Sequence, residues 1–212
     1  MISSESIVLN DELLLAQGSS RVIYRHPDNC NWLIKVLKPE YIERKSGAKA
    51  PWYKKLRPLG CFVGFEREFR EQLKAYLFYG YHPSQLYFIV GMQPTDRGLG
   101  QVVELVMGRD GGFAPTLRTL LKQGRFDGWA EKDLQKFFDW LLESPLVISD
   151  LTLDNIVYRY DEVKGESFCL IDGVGEPNLV PLKSFFKWWN RFSKERWIEK
   201  VKRRIVLQLS QD

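Results

Sequence analysis

Three polar side chains in the second half of the sequence have the types and spacing of a phosphoryl-transfer site. Asp150 precedes Asn155 by five positions, and Asp172 follows a short predicted hairpin and stands directly before Gly173. Transfer of a phosphoryl group to a hydroxyl needs a carboxylate that accepts the hydroxyl proton, and it needs oxygen ligands for magnesium. Asp150 is therefore a candidate general base, while Asn155 and Asp172 are candidate metal ligands.

Each of these residues also has a purely structural interpretation. Asp150 could cap a turn, Asn155 could occupy the turn that enters a strand, and Asp172 could form an Asx turn at the end of the hairpin. Since Asp and Asn are common in loops, the spacing alone is a weak signal. Taken together, the three residues favour one shared site over three independent turns.

The composition is that of an ordinary soluble chain. The 212 residues are 44% apolar and 27% charged, which suits one or two small domains with a packed core. No apolar run reaches the length of a membrane span, and no basic segment followed by an apolar stretch opens the sequence. Cys30, Cys61 and Cys169 form no metal or disulfide motif, so we expect a cytoplasmic location.

The spacing of apolar residues predicts a mixed α+β fold. Residues 12–37 read as three short strands, and residues 39–60, with three prolines, read as a loop. The helix at 65–77 would bury Phe65, Phe69, Leu73 and Leu77. Further elements are strands at 86–90 and 101–107, helices at 116–123 and 131–143, and a hairpin of 156–160 with 168–171. We expect an antiparallel sheet with one helix in residues 1–105 and a mostly helical lobe in residues 106–212.

Positive charge is concentrated in residues 38–57 and in the tail, residues 183–204. The tail mixes basic residues with a loose helical stripe of apolar ones: Phe185, Trp188, Trp189, Phe192, Trp197, Val201 and Ile205. A helix on an anionic membrane surface and a nucleic-acid face are two interpretations. We favour a third, in which the aromatic stripe packs on the second lobe and the basic face stays in water, because burial of large aromatic area outweighs a few surface charges.

Upstream segments extend the pattern and resemble the protein-kinase-like superfamily. The strand 33–36 is similar to the one that carries a phosphate-binding lysine, and the helix 65–69 to the one whose glutamate pairs with that lysine. Residues 102–108 resemble the hinge strand, and residues 116–126 resemble the first helix of the second lobe. The resemblance implies a two-lobe kinase-like fold that is cut short at its C-terminus.

The same resemblance implies roles for individual residues. Lys35 would hold the phosphates of ATP, and Glu68, just before the core-facing Phe69, would orient it, while Glu66 and Glu71 would lie on other faces. The full set of expected nucleotide-binding residues is Gly18, Ser19, Ser20, Lys35, Glu68, Glu104 and Val106. Backbone groups of Glu104 and Val106 would bind adenine, and Mg²⁺ would be held by Asn155 and Asp172.

A narrower resemblance is to the PhoP regulatory network (YrbL-like) family, which is bacterial and kinase-like. It is carried by Gly18, residues 24–28, Ile34-Lys35, residues 153–156, residues 172–176 and the tail from Pro181 to Trp188. This resemblance implies no particular acceptor for the phosphoryl group.

The chain also departs from the kinase pattern. No further glycines follow Gly18 at kinase spacing, Ile148-Ser149 stand before Asp150 where protein kinases have His-Arg, and Thr152 stands where they have lysine. Three hypotheses follow: a small ATP- and Mg²⁺-dependent phosphotransferase, a kinase-like regulator that binds nucleotide or a partner without turnover, and a basic module for nucleic acid or an anionic membrane. The sequence specifies neither the acceptor nor the oligomeric state.

Overall fold

The computed structural model describes residues 6–48, 51, 59–176 and 186–210. The chain divides into two compact units, the first made of Met1–Phe69 with Phe88–Leu105 and the second of Arg70–Tyr87 with Val106–Asp212. Much of the predicted basic loop after residue 48 and the tail residues 181–185, including Phe185, lie outside the described residues.

The first unit contains a five-stranded antiparallel sheet. Its strands are β1 (Leu14–Gln17), β2 (Arg21–Arg25), β3 (Trp32–Leu37), β4 (Ile89–Thr95) and β5 (Gly98–Glu104), arranged in the order β1-β2-β3-β5-β4. The three strands expected in residues 12–37 are therefore confirmed. The later pair differs by a few residues from the predicted bounds, because the tight turn at Asp96-Arg97 allows pairing to start at Thr95 and Gly98.

The two faces of this sheet carry different side chains, because neighbouring residues of a strand point to opposite faces. Ile34, Val36 and Val102 pack on one face, together with Ile7 and Leu9 from the segment before the sheet. The opposite face carries a smaller apolar cluster of Leu37, Cys61 and Phe65. The alternation places Arg21, Lys35 and Gln101 on this second face, since they pair in register with residues of the same set.

Residues 39–46 form a helix, α1 (Pro39–Ser46), where the sequence analysis predicted a loop. That prediction was wrong because the prolines were given too much weight. Pro39 occupies the first helical turn, where its missing N–H costs nothing. Glu40 in the first turn and Arg44 and Lys45 in the last have the charge order that favours a helix dipole.

Helix α2 (Val63–Tyr79) buries a different face from the predicted one. Phe65 is buried as expected, but Phe69, Leu73 and Leu77 are exposed, and Leu77 reaches 84%. The buried positions on the helix are instead Phe65, Glu68, Glu71, Gln72 and Ala75. The prediction failed because it assumed that the apolar stripe marks the buried side, whereas this helix buries polar groups that have specific partners.

The second unit is mostly helical, as predicted. It contains α3 (Leu117–Lys122), α4 (Gly128–Glu143) and a two-stranded hairpin, β6 (Ile156–Asp161) with β7 (Gly165–Leu170). The side chain of Thr116 caps the start of α3, and Asp127 caps α4 by accepting hydrogen bonds from two backbone amides. Together with the first unit, this architecture confirms the α+β fold class, and its element order is the one that the kinase resemblance predicts.

The tail forms one long helix, α5 (Lys187–Leu209). Its buried residues recur at helical spacing: Asn190, Lys194, Ile198, Val201 and Ile205. The aromatic residues Trp188, Trp189 and Phe192 are exposed, so the prediction that they pack on the second lobe was wrong, whereas that for Val201 and Ile205 was correct.

Among the described helices, α5 included, none is long and apolar enough to cross a membrane.

Candidate active site

The turn between β1 and β2 contains the predicted phosphate-contacting residues Gly18, Ser19 and Ser20. The amide of Gly18 donates a hydrogen bond to the carbonyl oxygen of Arg21 at 2.8 Å, and the Ser20 carbonyl accepts one from the Lys38 amide at 2.9 Å. A Cβ atom at Gly18 would meet only the Arg21 oxygen, at an ordinary 3.6 Å. The turn is thus held by its backbone, and its conformation does not demand glycine.

Lys35 and Glu68, the predicted ion pair, are both buried in the first unit, with 6% and 3% of their surface exposed. Glu68 forms an ion pair with Arg21, with Oε1 and Nη2 2.5 Å apart. The same guanidinium stacks over the ring of Phe65, 4.8 Å from its centroid. A pair between Lys35 and Glu68 stays a prediction, and Arg21 is a largely shielded charge that pairs with the same carboxylate.

Gln101 is a buried polar residue directly opposite Lys35 in the register of β3 and β5. Its side chain is fully buried, and neither its amide oxygen nor its amide nitrogen has a hydrogen-bond partner within the described part of the chain. Buried polar groups without partners are rare and costly in folded proteins. The full burial of this amide leaves no space beside it for a further group within the described part of the chain, so its polar atoms carry an uncompensated desolvation cost.

The predicted adenine-binding segment follows β5. The Glu104 amide donates to the Phe88 carbonyl at 2.9 Å, and its carboxylate accepts from the Phe88 amide at 3.0 Å. The Val106 carbonyl accepts a hydrogen bond from the Ala114 amide at 3.0 Å. These bonds occupy the Glu104 amide and engage the Val106 carbonyl, and adenine binding by this segment stays a prediction.

In the second unit, backbone hydrogen bonds join the two segments that contain the predicted catalytic residues. We call residues 147–155 the Asp150 loop and residues 171–176 the Asp172 segment. The amides of Ser149 and Asp150 both donate to the Gly173 carbonyl, at 2.8 and 3.1 Å. The Ile171 amide donates to the Asn155 carbonyl at 2.9 Å, and the Asn155 side-chain amide donates to the Asp150 carbonyl at 3.3 Å. The three predicted residues thus lie in adjoining segments that are fixed to one another.

Gly173 makes this close approach possible. Its φ of +83° is a left-handed conformation that side-chain-bearing residues rarely adopt, and a Cβ atom there would stand 1.8 Å from the Asp150 carbonyl oxygen. The Asp172 carboxylate accepts a hydrogen bond from the amide of the next residue, Gly173, at 2.7 Å, whereas the predicted Asx turn would reach the amide two residues on. The contact leaves the other carboxylate oxygen available to a ligand.

A shell of buried polar side chains fixes the chain that leads into the Asp150 loop. Glu71 accepts a hydrogen bond from the Val147 amide at 2.8 Å. From α5, Asn190 donates to the Leu146 carbonyl at 2.9 Å and Lys194 donates to the Ser144 carbonyl at 2.7 Å. Every element of this shell belongs to the second unit, so the tail helix helps to fix the backbone path toward Asp150.

Burial changes the proton affinity of the two charged groups in this shell. Desolvation raises the pKa of the Glu71 carboxyl, although hydrogen bonds from Lys74 and the Val147 amide oppose the shift. Desolvation lowers the pKa of Lys194 to about 8, opposed by the attraction of Glu71. Glu71, which the sequence analysis placed on another helix face than Glu68, is buried like Glu68 but has different partners, Lys74 and the Val147 amide.

A second polar contact holds the far end of the Asp150 loop. Arg118 of α3 forms a forked ion pair with Asp154, with N–O distances of 2.7 to 3.0 Å, and its amide donates to the Leu153 carbonyl at 3.2 Å. Both side chains are partly exposed to solvent, by 38% and 53%. The sequence analysis missed Arg118, as it missed Asn190 and Lys194, since no local motif links α3 or α5 to the loop.

The donor groups of this region suit a metal that takes few ligands from the protein. No cluster of three or more His, Cys, Asp or Glu side chains in the described ranges could hold a metal ion. Asn155 and Asp172 offer amide and carboxylate oxygens, which are ligands that magnesium prefers, and magnesium commonly takes its remaining ligands from phosphate and water. The residues present therefore fit a magnesium ion that arrives with a nucleotide.

Comparisons with known proteins cover nearly the whole chain. The sequence profile of the family described as PhoP regulatory network protein YrbL matches residues 7–206. YrbL of Escherichia coli (strain K12) and YrbL of Shigella flexneri are each 24% identical over 201 residues, covering 88% of this chain and 86% of theirs. A crystal structure of Rad53 1-466 in complex with AMP-PNP matches 78% of this chain at 13% identity and a TM-score of 0.47, and the chain spans only 38% of its length.

Proposed function

The chain belongs to the PhoP regulatory network protein YrbL family, and from that premise we propose that it binds ATP with Mg²⁺ and transfers a phosphoryl group to an acceptor hydroxyl. The observation that carries the proposal is the backbone hydrogen bonding that fixes the Asp150 loop against the Asp172 segment. Three isolated turn residues would not need that arrangement, nor a glycine forced into a left-handed conformation beside them.

In the first unit, the proposal rests on the buried polar groups of one sheet face. Lys35 would provide positive charge to the phosphates, and its low exposure would strengthen that attraction because water screens it less. Arg21 and Glu68 would hold the helix beside this face.

Mg²⁺, when bound, would neutralise phosphate charge and fix the orientation of the transferred group. Asn155 and Asp172 would hold it, and Asn155 can do so with its oxygen because its side-chain nitrogen already donates to the Asp150 carbonyl. Two protein ligands are too few for tight binding of the free ion. We therefore expect metal affinity to be weak without nucleotide and to rise when ATP is present.

Asp150 would act as the general base. Its backbone is fixed by the hydrogen bond from its amide to the Gly173 carbonyl, while its side chain is exposed and accessible to an acceptor. The acceptor hydroxyl would give its proton to Asp150 as its oxygen forms a bond to phosphorus, and the bond from that phosphorus to ADP would break. A carboxylate in this role stabilises the transition state more than the bound substrate.

Calorimetric titration with ATP, in the presence and absence of Mg²⁺, tests the proposal on the full chain. Asp172→Asn and Asn155→Ala are expected to remove most of the effect of Mg²⁺ on ATP affinity. Asp150→Asn is expected to keep ATP affinity within about threefold of the parent and to abolish ADP formation with a pool of candidate acceptors.

The outcomes separate the three hypotheses. Absence of ATP binding at millimolar nucleotide would overturn the proposal. Mg²⁺-dependent ATP binding without turnover on any acceptor would instead identify a nucleotide-binding regulator. Loss of ATP binding in a folded Asp150→Asn variant would assign Asp150 to the binding shell and leave the reaction without its base.

A further inference from the structure

Four large aromatic residues at and near the start of the tail helix are exposed. We call Phe186, Trp188, Trp189 and Phe192 the aromatic cluster. All four are exposed, and Trp188 is the most exposed at 69%. The Trp188 ring contacts the rings of Phe186 and Trp189, with centroids 6.5 and 5.8 Å apart. Side chains of this size present on the order of a few hundred Å² of apolar surface, which is comparable to the largest patch on a typical monomer.

Within the part of the chain that the structure describes, the contacts that attach the helix do not involve this cluster. The buried side of α5 is formed by Asn190 and Lys194 in its first half and by Ile198, Val201 and Ile205 in its second half. Asn190 and Lys194 donate hydrogen bonds to backbone carbonyls of Leu146 and Ser144. The aromatic cluster lies on the remaining surface of the helix, so another role is needed to explain four apolar rings in water.

The charges around the cluster indicate the chemistry of its partner. Helix α5 contains eight basic and two acidic residues. Lys187 and Arg191 are exposed beside the tryptophans, and the Arg196 guanidinium lies over the Phe192 ring, 5.9 Å from its centroid. Aromatic rings with basic residues at their edges are the composition of helices that lie in the interface of an anionic bilayer.

Nucleic acid fits the same surface less well. Arg191 and Arg203 are already engaged by Glu195 and Glu199, at 3.2 and 3.4 Å, on successive turns of the exposed side. Acidic residues along that side would repel a phosphate backbone, which needs a row of available basic groups. A lipid surface needs only a few charges at the edge of an inserted aromatic group, and this is what the first two turns of α5 present.

We propose that the aromatic cluster inserts into the headgroup region of an anionic lipid bilayer and holds the protein at a membrane surface. The helix would lie in the plane of the surface, with the cluster below the phosphates and with Lys187 at their level. This inference is independent of nucleotide binding and of phosphoryl transfer.

Co-sedimentation with vesicles tests the proposal. The full chain is mixed with vesicles of phosphatidylcholine containing about one third phosphatidylglycerol, and with vesicles of phosphatidylcholine alone. We expect binding to the anionic vesicles, and a loss of about tenfold or more in the partition coefficient for the combined variant Trp188→Ser, Trp189→Ser and Phe192→Ser. The matched control is Trp129→Ser, which removes a tryptophan that is 75% exposed on α4 and should leave binding unchanged.

A second measurement keeps the test independent of whether the combined variant folds. With the unaltered protein, brominated lipids in the same vesicles should quench tryptophan fluorescence if the cluster inserts. Absence of quenching, or equal binding by the combined and Trp129 variants, would overturn the proposal. Displacement from the vesicles by a single-stranded oligonucleotide, or association of the protein with itself through the cluster, would also overturn it in favour of that other partner.

Discussion

Arg21 of β2 and Glu68 of α2 form an ion pair whose closest atoms are 2.5 Å apart, with only 15% and 4% of the two side chains exposed. The guanidinium also covers the ring of Phe65 on the same helix. The pair therefore joins α2 to the sheet on the face that carries Lys35 and Gln101. Because both side chains are largely shielded from water, their attraction is screened little.

Replacing Arg21 with methionine should lower the free energy of unfolding by about 3 kcal/mol, because it leaves a buried carboxylate without its guanidinium. The matched control is Arg118→Met, which breaks the partly exposed pair with Asp154 and should cost about 1 kcal/mol or less. Chemical denaturation of both variants measures the difference. Equal losses would show that burial does not set the strength of the Arg21 pair.

Gly173→Ala should disrupt the contact between the Asp150 loop and the Asp172 segment. The new Cβ would lie 1.8 Å from a backbone oxygen that cannot rotate away, and the residue would keep a φ of +83°. We expect a loss of roughly 3 kcal/mol or more in stability, together with loss of Mg²⁺-dependent ATP binding.

Gly124→Ala provides the control for that experiment. Gly124 also has a left-handed φ, +61°, but a Cβ there would meet nothing within 4 Å. Its cost should be about 1 kcal/mol, from backbone strain alone. A Gly173→Ala variant that is no less stable than Gly124→Ala would contradict the described approach of the two segments.

Helix α2 buries a different face from the one predicted from the sequence, and two substitutions test which face is buried. Leu77→Ser should change the free energy of unfolding by no more than about 0.5 kcal/mol, because this leucine is mostly in water. Phe65→Ala should cost about 3 to 5 kcal/mol, because that ring is buried. Thermal and urea unfolding give both values. A large loss of stability in the leucine variant would show that the face predicted from the sequence is the buried one.

The buried Lys194 should make stability depend on alkaline pH. Burial lowers its pKa from the ordinary 10.5 to about 8 in the folded chain, so between these values the unfolded chain binds more protons than the folded one. Stability attributable to this group therefore rises as pH rises from about 8 toward 10.5, by up to roughly 3 kcal/mol. The other charged groups that act on Lys194 are Glu71, which favours its ammonium form, and Arg191, which opposes it.

Comparison with Lys194→Met isolates that contribution. From pH 7.5 to pH 9.5, the free energy of unfolding of the parent should rise relative to that of the variant. The difference in stability between the two proteins should therefore change with pH. Lys132→Met, at an exposed position of α4, serves as the control because it should leave the pH profile unaltered. A parent and a Lys194→Met variant with identical profiles would show that Lys194 keeps its ordinary proton affinity.

Local patterns were sufficient to predict much of the fold and the family. The turn at Gly18 and the apolar residues of β3 predicted the first three strands, and the apolar spacing of residues 131–143 predicted most of α4. The order Asp150, Asn155, Asp172 correctly indicated two segments joined through a hairpin. The family resemblance drawn from short motifs is confirmed over residues 7–206.

The failures on α2 and α5, unlike that on α1, have a common physical cause, which is that a local sequence pattern does not show polar partners from distant parts of the chain. Glu71 is buried because it accepts a hydrogen bond from the Val147 amide. The two residues are 76 positions apart, so the sequence around residue 71 does not indicate this partner. The sequence does not distinguish Lys194 from the other lysines of the tail, and only the fold shows that it donates a hydrogen bond to the Ser144 carbonyl. The rule that apolar stripes mark buried faces consequently misassigned both α2 and the first half of α5.

The attachment of α5 has a consequence for how this region can change between related sequences. Asn190 and Lys194 contact carbonyl oxygens of Leu146 and Ser144, atoms that every amino acid carries. The bond from Asn190 can therefore persist with another apolar side chain at Leu146, whereas Ser144 also accepts a bond from Lys194 through its hydroxyl at 3.2 Å, and the two donors on the helix have no equivalent substitutes. A relative that lost either donor would need a different way to fix its loop, and compensating changes should appear at residues 144–147 rather than elsewhere on the tail.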